Sequence, residues 1–200
     1  MKDIIFATKN KGKIKEIKNI LGDKFNIKSI EEVGIFDDVL EDGNTFEENA
    51  IKKATEIMKK TGEIVLADDS GLEIDFLNKA PGVYSSRYMG ENTPYEIKNK
   101  KILELLKDVK KYDRTARFVS VIAMAMPNEK LIITKGILEG TIAYEMSGEN
   151  GFGYDPIFYI PHLKKTSAEL SLKEKNEISH RGKALYEMKI ILERLFLWEL

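Results

Sequence analysis

The apolar run Ile64-Val65-Leu66-Ala67 ends directly on two adjacent carboxylates, Asp68 and Asp69, which are followed by Ser70 and Gly71. A short apolar run stopped by turn-forming residues has the character of a buried strand. Leu72-Glu73-Ile74-Asp75-Phe76 then alternates apolar and polar, the period-two pattern of a second, half-buried strand. The stretch therefore predicts a hairpin, with the two acids at the end of its first strand and Gly71 taking φ > 0 in a tight turn. Adjacent side chains in an extended chain point to opposite faces, so one carboxylate braces the turn while the other is presented to a cleft. Two acids this close repel unless a cation or hydrogen bonds settle them, which suits binding a divalent metal or activating a water. An Asp-rich turn with no chemistry fits the same residues.

Two hundred residues, 42% apolar and 32% charged, suffice for one globular domain spanning 1–200. A net charge of −1 gives no general attraction to nucleic acid or to an anionic membrane. The absence of cysteine excludes disulfides, thiolate metal sites and a cysteine nucleophile, and makes a reducing cytoplasm the economical location. The N-terminus lacks the features of a secretory signal. The longest mostly apolar run, Val119 to Met126, is far short of the ~20 residues that a membrane span needs. That only His162 and His180 are present argues against a histidine-rich zinc centre.

Residues 3–8 read as a buried strand leading into the polar loop Thr8-Lys9-Asn10-Lys11-Gly12-Lys13. Ile14, Ile17, Ile20 and Leu21 recur at helical spacing up to Gly22. A basic loop before a helix N-terminus suits an anion, although the glycine spacing and Ile14 exclude a Walker A loop. A solvated, lysine-rich helix start accounts for it equally. Phe25 to Ile30 predicts a strand. After the acidic stretch Asp37 to Gly43, Thr45 and Glu48 have capping-box spacing ahead of a helix on Phe46, Ala50, Ala54, Ile57 and Met58. Thr93-Pro94-Tyr95-Glu96 predicts a capped helix start, and that helix runs to about Lys107. Arg117 to Met126 and Lys130 to Leu138 predict a hairpin. Gly148 to Phe158 interleaves glycines with aromatics, giving either a slot for a flat ring or a tight turn whose aromatics enter the core. A short helix at Ser171 to Glu174 and a long last helix on Ala184, Leu185, Met188, Ile191, Leu192, Leu195 and Phe196 complete the chain.

Six segments in order carry a resemblance: Ala7 to Lys13, Glu41 to Ala50, Ala67 to Leu72, Pro81 to Tyr88, Gly151 to Pro156, and Ser179-His180-Arg181-Gly182. Together they resemble the inosine triphosphatase family, pyrophosphatases that act on deaminated purine nucleoside triphosphates. The resemblance implies an α/β fold, a single domain with a twisted mixed sheet flanked by helices and two lobes around a central cleft. It implies a homodimer and Mg²⁺-dependent hydrolysis of ITP, dITP and XTP to the monophosphate and pyrophosphate. Carried over by position, Thr8, Lys9, Asn10, Lys11, Gly12 and Lys13 would hold phosphates, with Lys53 and Lys175 adding charge. Glu41 and Asp69 would hold Mg²⁺, and Asp69 would also accept the proton of the attacking water. Ser70, Phe152, Gly153, Tyr154, Asp155, His180 and Arg181 would bind the nucleotide and its base.

Two other functions fit a chain of this kind. One is a Maf-type pyrophosphatase with another base preference, against which the Ser179 to Gly182 and Gly151 to Asp155 segments argue. The other is a non-catalytic nucleotide sensor, which would have no need of a water-activating acid. If His180 and Arg181 present hydrogen-bond donors to the base, 6-oxo purines are accepted and the amino group of adenine is not.

Overall fold

Strands and helices alternate from the N-terminus largely as the periodicities predict. The computed structural model describes residues 1–37 and 39–196, so Asp38 of the acidic stretch lies outside the described residues. Its elements are β1 (Lys2–Phe6), α1 (Lys11–Leu21), β2 (Phe25–Ser29), α2 (Phe46–Thr61), β3 (Val65–Ile74) and α3 (Tyr95–Leu105). They continue with β4 (Thr115–Ala125), β5 (Ile132–Ile142), β6 (Phe158–Ile160), β7 (Lys165–Thr166), α4 (Leu172–Ile178) and α5 (His180–Phe196).

The strands form one seven-stranded mixed sheet in the order β2-β1-β3-β4-β5-β6-β7. β1 runs parallel to β2 and β3, and β6 runs antiparallel to β5 and β7. Parallel neighbours need a crossover, and α1 and α2 supply it on the way from β1 to β2 and from β2 to β3. No helix among the described residues is long and apolar enough to cross a membrane.

The structure corrects the sequence reading at the acid pair. β3 is one continuous ten-residue strand through Asp68, Asp69, Ser70 and Gly71, not two strands joined by a hairpin. Gly71 is absent from the positive-φ residues. The strand carries on because Leu72 and Ile74, like Leu66 before them, are fully buried, and the Leu72 N–H donates to Ser85 Oγ at 2.9 Å. A Ser-Gly pair bends a chain only where the flanking residues gain nothing by staying in the sheet. A smaller correction concerns α3, whose N-cap is Pro94; the Thr93 hydroxyl donates back to the Met89 carbonyl instead. The starts of α1, α2 and α4 are capped by side chains, Asn10 accepting from Lys13 N–H, Thr45 from Glu48 N–H and Ser171 from Glu174 N–H.

The chain divides into two compact units. The first comprises Met1–Asp69, Ser120–Gly136 and His180–Leu200, and the second comprises Ser70–Val119 and Ile137–Ser179. The core of the first unit is Ile4 and Phe6 of β1, Ile17, Ile20 and Leu21 of α1, and Ala184, Leu185, Met188 and Leu192 of α5, with their neighbours. The core of the second is Leu72, Ile74, Ile102, Leu106, Phe118, Phe158 and their neighbours.

Candidate active site

In the first unit the apolar stripes of α1 and α5 carry charge where they meet the acid pair. Lys13 and Glu16 lie on the same helical face as Ile17 and Ile20, and Arg181 lies one turn before Ala184 and Leu185. These side chains enclose Asp68, which has no exposed surface. Lys13 Nζ is 2.6 Å from Asp68 Oδ2, Arg181 Nη2 is 3.2 Å from the same oxygen, and Ser120 Oγ donates to Oδ1 at 2.6 Å. Arg181 Nη1 completes the cluster on Glu16 Oε2 at 2.5 Å. Burial opposes the charge of Asp68, yet the Arg181 guanidinium and the Lys13 ammonium outweigh it and hold its carboxyl well below the usual carboxylate range.

Asp69, next along the strand, turns its side chain to α2. There Asn49 and Lys53 interrupt the apolar face formed by Phe46, Ala50, Ala54 and Ile57. Asn49 Nδ2 donates to Asp69 Oδ2 at 3.0 Å, and Lys53 Nζ stands 3.8 Å from Asp69 Oδ1. The same ammonium donates to Glu41 Oε1 at 2.6 Å and to the Asp68 carbonyl at 2.7 Å. Glu41 and Asp69 therefore share one cation already. Asp69 is 5% exposed, and burial raises its carboxyl above the ordinary value against the pull of Lys53 and Lys13. Among the described residues no group of three or more His, Cys, Asp or Glu is placed to enclose a metal ion. Two carboxylates around a cation position suit a metal that keeps waters and phosphate oxygens in its shell, as Mg²⁺ does.

The loop that leads into α1 is ordered by its own side chains. Asn10 N–H donates to Thr8 Oγ1 at 3.2 Å, and Asn10 Oδ1 accepts from Lys13 N–H at 3.1 Å. Lys11 and Gly12 then open the helix, where an α-helix has no internal acceptor for its N–H groups. Lys9 Nζ donates to the Phe36 carbonyl at 2.5 Å.

In the second unit the glycine-rich loop is braced from beneath. Asp155 Oδ2 accepts from Phe152 N–H at 2.8 Å and from Lys175 Nζ at 2.7 Å, and that ammonium lies 4.7 Å from the centre of the Phe152 ring. Gly151 has φ +75°, and a Cβ there would stand 2.1 Å from Asp155 Oδ2, so the loop needs glycine twice over. Asn99 Nδ2 holds the Gly153 carbonyl at 3.1 Å. The Tyr154 hydroxyl donates to the Ser85 carbonyl at 2.8 Å, its ring edge-on to Tyr95. Ser70 is half-buried in β3.

The structure gives several of the sequence candidates tasks that their motifs did not announce. Arg181 has Nε, Nη1 and Nη2 on carboxylates. Asp155 ties down its own loop, and Lys175 neutralises it. Asp68 is the hub of an ion cluster rather than a turn brace. Glu16, Asn49, Ser120 and Asn99 were not singled out by the sequence reading. Their signal was present, because Glu16, Asn49 and Asn99 occupy core-facing positions of otherwise apolar helical stripes.

The sequence model of the Ham1 family matches residues 4–191. The dITP/XTP pyrophosphatase of Desulforamulus reducens is 51% identical over 195 residues, covering 97% of each chain. That of Bacillus subtilis is 48% identical over 194 residues, 96% of this chain and 98% of the relative. Among solved structures, the HAM1 protein of Coxiella burnetii superposes with a TM-score of 0.88 at 45% identity, covering 97% of this chain and all (100%) of the other. The Staphylococcus aureus Ham1 protein gives 0.86 at 46% identity with the same coverage.

Proposed function

This chain belongs to the Ham1 family, and from that premise we propose that it is a dITP/XTP pyrophosphatase. It hydrolyses dITP, XTP and ITP between the α and β phosphorus atoms, releasing the monophosphate and pyrophosphate and clearing deaminated purines from the nucleotide pool. The observation that carries the chemistry is the Glu41–Lys53–Asp69 arrangement, two carboxylates on one buried ammonium with Asp69 raised by burial. A pure binding site has no need of such a base, which argues against a sensor.

Asp69 takes the proton from the attacking water as the water oxygen joins phosphorus and the bond to the bridging oxygen breaks. A raised carboxyl is the better proton acceptor. Glu41 and Asp69 would hold Mg²⁺, which supplies positive charge to the phosphate oxygens. The loop from Thr8 to Lys13 would hold the triphosphate, with the Lys11 and Gly12 N–H groups and the helix dipole at the start of α1, and Lys13 and Lys53 add charge. Phe152 offers a ring face to the base, His180 a hydrogen-bond donor, and Ser70, Gly153, Tyr154 and Asp155 shape or brace the nucleotide site. Arg181 contributes by fixing Asp68 and, through it, Lys13. The whole chain, 1–200, acts as one catalytic domain in a cytoplasmic homodimer.

The test is pyrophosphate release from dITP, XTP, ITP, GTP and ATP, with and without Mg²⁺. Strong preference for the first three, weaker discrimination against GTP than against ATP, and loss of turnover without metal are expected. Equal turnover of ATP, or turnover that ignores Mg²⁺, would overturn the proposal.

A further inference from the structure

We infer that Asn49 is a positioning residue for Asp69 and that it couples the Glu41 loop to that carboxylate; the inference rests on Asp69 being the proton acceptor. Asn49 has no exposed surface, although it is polar and sits on the apolar stripe of α2. Both ends of its amide are engaged, and the partners fix which end is which. Nδ2 donates to Asp69 Oδ2 at 3.0 Å, where a carboxylate oxygen accepts, and Oδ1 accepts at 2.8 Å from Gly43 N–H, which can only donate. A single rigid amide thus bridges the residue two places after Glu41 to the carboxylate that shares Lys53 with Glu41.

The bridge has consequences for both partners. A carboxylate can rotate about its last bond, and pinning Oδ2 on Asn49 leaves Oδ1 as the oxygen aimed toward Lys53. The loop is held just as closely. A Cβ at residue 43 would stand 2.7 Å from Asn49 Oδ1 and 2.8 Å from Glu48 Cβ, so only glycine lets this backbone approach the amide. Fixing the groups that orient a reacting side chain is commonly worth about 10–100-fold in activity or metal affinity. Asn49 acts through the Asp69 carboxylate that it pins, and Gly43 through the loop that carries Glu41.

The experiment compares the parent with Asn49→Ala, Asn49→Leu, Asp69→Asn and the double variant Asn49→Ala/Asp69→Asn. Asn49→Leu fills the volume should Asn49→Ala fold poorly. Steady-state kcat and KM for dITP are measured below the melting temperature, and amide hydrogen exchange at residue 43 is measured on metal-free protein. We expect kcat to fall about 10–100-fold in either Asn49 variant with KM changed much less, and exchange at Gly43 to rise. We also expect the double variant to be no slower than Asp69→Asn, because Asn49 has nothing left to orient. Parent-like kcat together with faster Gly43 exchange would make Asn49 a structural brace and overturn the inference. So would a double variant whose loss is the product of the two single losses. Parent-like turnover in Asp69→Asn would instead remove the base itself, a different failure that the same data identify.

Discussion

Replacing Asp68 by Asn changes one oxygen for an NH₂ group and leaves no cavity, so its effect on stability isolates charge. The buried cluster holds two carboxylates, Asp68 and Glu16, against two cations, Arg181 and Lys13. Removing one partner leaves a net positive charge among side chains that are 0 to 3% exposed except for Lys13, at 15%. Breaking a buried pair in this way typically costs about 3–5 kcal/mol. Lys13 can regain some water, which places the expected loss near the lower end, about 3 kcal/mol. For a chain of this size that corresponds to a fall in Tm of roughly 6–12 °C. The pH dependence follows from the depressed carboxyl. Its contribution is complete above the unfolded-state value, near 4, and is lost as pH falls toward the lower folded-state value. The gap between parent and variant should therefore stay level from pH 5 to 8 and close in stronger acid. Urea unfolding of both proteins across that range is the assay. A loss below about 1 kcal/mol at neutral pH would refute the reasoning, since surface ion pairs already reach that value.

Asp69→Asn should do the opposite. Turnover is expected to fall about 10²–10⁴-fold with the loss of the base. At pH 7 the fold should be at least as stable as the parent. A carboxyl raised by burial disfavours folding above its unfolded value, and the amide removes that cost, so the two stabilities should converge below about pH 4. Arg181→Ala should lose about 3–5 kcal/mol, because it removes the buried guanidinium that joins Glu16 to Asp68; thermal unfolding decides. Asp155→Asn should raise KM for XTP more than it lowers kcat, since it loosens the Phe152 N–H and strips the 4%-exposed Lys175 of its counter-charge. Unchanged KM there would show that the loop does not meet the nucleotide.

Elements were legible in the sequence wherever one periodicity ran unbroken between recognised ends. α2 is the clearest case, with Thr45 accepting from Glu48 N–H at one end and Gly62 at φ +69° closing the other. The acid pair was legible as a place where buried charge must find partners but misread as a turn. Asp68, Asp69, Ser70 and Gly71 each favour turns locally, and the burial of Leu72 and Ile74, a tertiary fact, overrides four local preferences at once. Strand alternation already sent the two acids to opposite faces, but which partners each would meet was beyond local reading. It depends on α1 and α5 supplying cations to one side chain while α2 supplies Asn49 and Lys53 to the other.

Those helices point to a rule that the sequence alone could have carried further. A polar side chain on the core-facing stripe of an amphipathic helix loses its water, which costs several kcal/mol unless a partner replaces it. Lys13 and Glu16 on α1, Asn49 and Lys53 on α2, Lys98 and Asn99 on α3, and Arg181 on α5 all share a face with an apolar residue three or four places away. Five of these seven converge on the Asp68–Asp69 pair directly or through one intermediate. The other two hold the second unit's loops, Lys98 on the Ser86 carbonyl and Asn99 on that of Gly153. A stripe of this kind forces the partners to exist, because an unpaired buried charge would not survive folding. The interruptions of the helical pattern, rather than the motifs in the loops, therefore mark which side chains the site is built around.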